Sequence, residues 1–200
     1  MENKVTRAVA IVQPPNSVVN THHVLYRFRN KPVHNLDDQQ ASELLTKYHF
    51  YCTDQYHFPW ANPSGESILH DFQLQHNGAV VSDLNTGLMW QRGGSGIDMD
   101  YNRAKRYLRR LNHGNFFGFG RLLNFTDWRL PTLEEALSLM CSDLSESGYI
   151  DPIFDKSQDY IFTADEDISN GRVWIVSYRG GFCYPKSPRY FVKVRAVRNI

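Results

Sequence analysis

Asp127-Trp128-Arg129-Leu130-Pro131-Thr132-Leu133-Glu134-Glu135-Ala136 is the stretch whose reading decides the fold. Trp128 and Leu130 alternate around Arg129 as a short half-buried strand does. Pro131 ends that strand, because it has no N–H to give to a ladder. Thr132 with Glu135 three residues on is a capping box, in which each side chain satisfies an orphan N–H and a helix starts. Leu133, Ala136, Leu137 and Met140 then follow the i, i+3, i+4, i+7 spacing of a core-facing stripe. The stretch reads as strand, stop and helix, and it speaks of architecture rather than chemistry.

Upstream, Ala79-Val80-Val81 and Leu88-Met89-Trp90 flank the polar turn Asp83-Leu84-Asn85-Thr86-Gly87, a hairpin with glycine where φ must be positive. Gly93-Gly94-Ser95-Gly96 reads as a flexible connection, without the GK[ST] or GxGxxG pattern of a phosphate loop. Residues 98–111 read as a helix with Tyr101, Ala104, Leu108 and Leu111 inward and Arg103, Lys105, Arg106, Arg109 and Arg110 outward. Residues 112–125 are rich in Gly and Phe and read as a loop with buried rings. Downstream, Tyr160 to Thr163, Val173 to Tyr178 and Phe191 to Val197 read as strands, and Arg179 to Tyr190 as a loop of glycines, prolines, aromatics and cations. Towards the amino terminus, Val5 to Val12 and Val24 to Phe28 read as strands. Asn35 or Asp37 caps a helix to Tyr48 with the stripe Ala41, Leu44, Leu45, Tyr48. Residues 50–72 are irregular but too aromatic for a free linker.

The chain has 200 residues with 42% hydrophobic and 14% aromatic, enough apolar material for one domain with an extension. A net charge of +1 gives no global pull toward nucleic acid or an anionic membrane. The brief apolar run from Ala8 to Val12 is too short for a secretory segment, and no stretch reaches transmembrane length. The chain therefore reads as soluble and cytoplasmic, or extracellular if a leader was removed. Cys52, Cys141 and Cys183 are scattered and odd in number, and read as buried thiols rather than a disulfide framework.

The order of motifs resembles a known family. Asp83 through Gln91, Tyr101-x-x-Ala104, Asp127 through Thr132, Ile150-Asp151-Pro152-x-Phe154, Trp174-Ile175-Val176 and Val194 through Arg198 are similar to the Lcl C-terminal domain family, over about residues 72–198. The resemblance implies a C-type lectin-like α+β fold of short twisted antiparallel sheets with about two helices. Residues 35–72 resemble an extension found in a subset of relatives. We therefore expect residues 1–71 to form an N-terminal strand and helix extension packed on a domain of residues 72–200. Where the family has Tyr-Trp-Ser-Ser-Thr, this chain has Tyr160-Ile161-Phe162-Thr163-Ala164. The Glu-Pro-Asn and Trp-Asn-Asp motifs of calcium-dependent lectins are absent, so the resemblance does not imply calcium-dependent sugar binding.

Several groups of residues carry candidate chemistry. The resemblance extends to formylglycine-generating enzymes, which use paired cysteines with copper, but Cys183 has no second cysteine within sequence range. His49, Cys52 and His57 make an incomplete zinc set. Asp165-Glu166-Asp167 lacks the spacing of a calcium loop and reads as a solvated turn. Arg129, Arg195 and Arg198 read as structural, pairing with carboxylates such as Asp127 or Glu134. The sequence reading is a non-enzymatic module, with no cofactor and no metal, that binds a protein or polysaccharide. Its expected surface is Tyr178, Arg179, Phe182, Tyr184, Lys186, Arg189 and Tyr190, at the end of the domain where C-type lectin-like folds bind ligands and where some relatives are diversified. The alternative surface is a polyanion patch at Arg103, Arg106 and Arg110. The alternative functions are an oxidase related to formylglycine generation and a structural domain of a larger assembly. Membrane and nucleic-acid partners are not expected, and a homo-oligomer is compatible with the chain.

Overall fold

The computed structural model describes residues 24–113 and 125–200, so the expected strand at Val5–Val12 and most of the Phe-rich loop lie outside the described residues. Among the described residues three α-helices and short antiparallel sheets make an α+β fold. Helix α1, Asp38–Tyr48, starts at a capping box of Asp37 and Gln40 and buries Ala41 and Leu45. Strands β1 (Phe72–Gln75), β2 (Val80–Asp83) and β3 (Leu88–Gln91) are joined by β9 (Val197–Asn199) in the order β1-β2-β3-β9. Gly87, with φ of +68°, closes the turn between β2 and β3. Helix α2, Tyr101–Asn112, is capped by Asp100 and buries Tyr101, Ala104, Tyr107, Leu108 and Leu111, the expected stripe with one more ring.

Around the deciding stretch the expected strand shrinks to one bridge, in which Arg129 and Val197 exchange both backbone hydrogen bonds at 2.9 Å. Trp128 is held instead by Asn112 at the end of α2, whose side-chain amide donates to the Trp128 carbonyl and accepts from its N–H, both at 2.8 Å. The capping box of Thr132 and Glu135 forms and starts helix α3, Leu133–Ser138. Arg129 clamps the Glu135 carboxylate at 2.6 and 2.7 Å, which holds the box in place. The helix is shorter than its stripe suggests, because Met140 already begins strand β4, Met140–Ser145. All six residues of α3 are buried, Glu134 and Glu135 included.

Strand β4 pairs with β5 (Gly148–Ile150), and β6 (Tyr160–Asp167), β7 (Arg172–Ser177) and β8 (Phe182–Lys186) form a third sheet in the order β6-β7-β8. Three expectations change here. Asp165-Glu166-Asp167 is no solvated turn, since β6 runs through it and turns Asp165 and Asp167 fully inward. The final strand is not Phe191–Val197; that segment makes only isolated bridges from Val192 to Met99 and from Lys193 to Ile161 before β9 begins. Val24–Phe28 forms no strand either, although Leu25 and Tyr26 both donate to the Asn85 carbonyl.

The core falls into two clusters. One packs α2 against β3, β7 and the segment 192–196. The other packs α1 and residues 50–60 against α3 and the opposite face of β7. Trp60 and Trp174 meet there edge to face at 5.0 Å, and their ring N–H groups donate to the carbonyls of Cys183 and Leu36. Among the described residues no helix is long and apolar enough to cross a membrane.

Trp128 is 2% exposed, so Trp128→Ala should cost about 3–5 kcal/mol by deleting a buried ring, whereas Thr132→Ala should cost about 1 kcal/mol through loss of the cap. Urea unfolding of the two variants checks this ranking. A Trp128→Ala chain as stable as wild type would contradict the placement of this ring.

Candidate functional site

The segment expected as one long loop, Arg179–Tyr190, is a hairpin and a short connection. Gly181, with φ of +71°, turns the chain back onto β7, and β8 pairs in register from Phe182 opposite Ser177 to Lys186 opposite Val173. Tyr178 and Phe182 are buried and present no ligand surface. Tyr178 donates its hydroxyl to the Ala136 carbonyl, and Phe182 is covered by Tyr56 and Phe58 at 4.9 and 6.2 Å between ring centroids. Sequence alone puts these two residues at the surface because nothing near them announces rings arriving from residues 50–60. Arg179 is exposed at the turn, 3.8 Å from Asp159. At the other end Lys186 sits over the rings of Tyr184 and Tyr190, at 5.0 and 5.1 Å, with Arg189 exposed beside them.

That second end abuts the basic helix. The N–H of Tyr101, the first residue of α2, donates to the Pro188 carbonyl, and the Arg103 guanidinium lies 5.7 Å over the Phe191 ring. Arg103, Arg106 and Arg110 form one wall of a cleft of about 700 Å³. The loop Gly93–Met99 forms the other wall, with Asp155 and Ser157 at its edge. That loop is not a flexible connection. Ser95 exchanges hydrogen bonds with Val194 through its N–H and its hydroxyl, and Gln158 donates to the Ser95 carbonyl. A side chain at Gly94 would meet Gln158 at 2.2 Å, so glycine is required there. At Asp98 and Ser157 the cleft meets a smaller depression of about 280 Å³ that reaches Tyr190, Phe191 and Lys193.

The charges are uneven. Asp98 pairs with Lys193 at 3.2 Å and Asp100 with Arg103 at 3.5 Å. Among the described residues Arg106, Arg109 and Arg110 make no ion pair, and all three are exposed. Two surfaces that the sequence offers as alternatives are therefore neighbours on one continuous face.

Residues 79–198 match the Lcl C-terminal domain family. The chain belongs to that family. No curated protein matches it. The cleft and the depression beside it lie wholly within the part that matches the Lcl C-terminal domain, whereas α1, Cys52 and the aromatics covering Phe182 precede it.

Other groups, within the matched region and before it, serve the fold. Arg195, fully buried, donates to the carbonyls of Gln91, Arg92 and Asp155 and lies 4.7 Å over the Phe154 ring, where burial brings its pKa down to about 10. Among the described residues it pairs with no carboxylate, contrary to expectation; Arg129 pairs with Glu135, and Arg198 takes Asp127 as expected. His49 and His57 are exposed while Cys52 is buried, so they do not converge, and among the described residues no three His, Cys, Asp or Glu side chains are placed to hold a metal ion. Cys52 and Cys183 do meet, a contact no sequence spacing announces, but both are fully buried and out of a substrate's reach in this conformation. An acid–histidine pair is also invisible in the sequence. His70 lies between the Asp83 carboxylate at 2.7 Å and the Ser138 carbonyl at 2.9 Å, so neither ring nitrogen is left for catalysis.

Burial would raise the Asp83 carboxyl, but hydrogen bonds from His70, Thr86 and the Asp71 N–H outweigh it and hold it below the usual carboxylate range. The ionised form thus adds stability above that range, and the contribution is lost as the pH falls through the lower folded-state value. The melting temperature should decline below about pH 4, and Asp83→Asn should remove part of that decline. A variant whose acid-induced decline matched wild type would show that Asp83 carries none of it.

Proposed function

We propose that this chain is a non-enzymatic binding module for an acidic polysaccharide, held along α2 and across the end of the C-terminal hairpin. The observation that carries the reading is the cleft beneath Arg103, Arg106 and Arg110, of which the last two make no ion pair among the described residues. Guanidinium groups fit carboxylate and sulfate in a two-pronged geometry, and weak hydration lets them exchange water for an anion at low cost. The spacing of these arginines along one helix face suits a repeating anionic chain. Tyr190 and Phe191, 44% and 52% exposed, extend the face with rings on which sugar faces can stack. The C-type lectin-like relationship implied by the sequence resemblance fits a glycan ligand, and the missing calcium motifs favour recognition by arginine instead.

The hairpin surface enters this reading as its far end. Lys186, Arg189 and Tyr190 remain available, with Tyr184 half-buried beside them against Phe58 and Phe182, and Arg179 stands apart at the other turn. A protein partner docking on that end alone is the second reading, favoured by the cation–ring cluster at Lys186.

Heparin and alginate, titrated at low salt and followed by calorimetry, test the first reading. Arg106→Gln combined with Arg110→Gln should weaken binding at least about tenfold, equivalent to ~1.4 kcal/mol, with the helix signal unchanged and EDTA without effect. No measurable binding of either polymer by wild type would overturn the polysaccharide reading. Binding that survives the double variant but is lost in Tyr184→Ala with Arg189→Ala would move the site to the hairpin.

A further inference from the structure

Two thiols that lie far apart in sequence are set side by side where the N-terminal extension crosses the family domain. Cys52 precedes the matched region and Cys183 lies in β8, and both are fully buried. Each is fixed by its own backbone. Cys52 exchanges hydrogen bonds with Asn62 at 3.1 and 2.9 Å, and Cys183 sits in the ladder opposite Val176. The two strands of chain are laced directly as well, since the Thr53 N–H donates to the Gly181 carbonyl at 2.8 Å and the Trp60 ring N–H to the Cys183 carbonyl at 2.9 Å.

We propose that Cys52 and Cys183 are a redox-closable pair, and that their disulfide ties the extension to the family domain. Both side chains lie in the same buried cluster, and the bonds from Thr53 to Gly181 and from Trp60 to Cys183 bring the two stretches together at that point. The neighbouring Cys183 draws the Cys52 thiol below its ordinary value, while burial pushes Cys183 well up. Cys141 is the contrast, a half-buried thiol pushed up to about 11 by burial and by the nearby Asp151 and Asp143.

The oxidant is a low-molecular-weight disulfide. One of the two cysteines, as its thiolate, attacks one of its sulfurs and expels one thiolate, leaving a mixed disulfide. The other cysteine then gives up its proton, attacks the protein sulfur of that mixed disulfide and expels the second thiolate. Two protein thiols are oxidised and one external disulfide is reduced to two thiols. Because both sulfurs are buried, the reagent reaches them during folding or when the extension opens locally. Closure spans most of the chain, so it restricts the unfolded ensemble strongly.

The test is refolding of the full chain in glutathione disulfide, blocking of free thiols, and peptide mapping without reduction. The expected result is a linked pair of peptides carrying Cys52 and Cys183, with Cys141 blocked as a free thiol. The oxidised chain should melt about 5 °C or more above the reduced one, with Cys141→Ala keeping that rise and Cys52→Ala losing it. Both thiols recovered free from wild type, a bridge through Cys141, or an oxidised chain that melts no higher than the reduced one would overturn the proposal. The peptide map of wild type decides the matter even if Cys52→Ala fails to fold.

Discussion

The carboxylate of Asp165, fully buried in β6, is the group on which the rest of the structure depends. It receives both prongs of the Arg29 guanidinium at 2.7 Å, the Val33 N–H at 2.7 Å and the Leu133 N–H at 2.6 Å. One side chain thus joins residues 29–33, the first turn of α3 and the third sheet. Arg29 also reaches Glu134 at 2.6 Å, so one cation faces two buried carboxylates. Burial pushes the Glu134 carboxyl above its usual range and Arg29 offsets only part of that. A cluster of this kind adds little net stability over apolar packing, but it leaves a buried charge uncompensated if any member moves. Its contribution is to fix which pieces meet.

This junction also divides the surface. With residues 29–36 seated on β6 and α3, Tyr56 and Phe58 arrive over Phe182, and the aromatics of the C-terminal hairpin split between core and solvent. The opposite side of β7 packs against α2, whose outer arginines are left facing the Gly93–Met99 loop. The cleft is therefore a consequence of layering. Helix α2 buries five residues on one side, and its other side carries only polar and charged residues.

Local chemistry is readable in the sequence and long-range chemistry is not. The capping box at Thr132 and the turn at Gly87 depend on a few adjacent residues and form as read, and of the two caps offered for α1 it is Asp37 that serves. Asp165 reads as part of a solvated acidic turn because its partner Arg29 lies 136 positions away. Period-2 alternation along β6 is the signal available, since it puts Asp165 and Asp167 on the same inward face. The basic helix face is legible as a face, but the loop that turns it into a cleft is ordered by Val194 and Gln158, which no local rule connects to Ser95. The same distance hides the meeting of Cys52 with Cys183.

Native-state amide hydrogen exchange at Val33 and Leu133 tests most directly whether one carboxylate unites the extension with the domain. Both N–H groups donate to Asp165, one from each side of the junction. If the junction opens only with the whole fold, the two amides exchange with the same free energy, equal to that of global unfolding. Rapid exchange at Val33 with full protection at Leu133 would show an extension that detaches on its own, and would contradict the account.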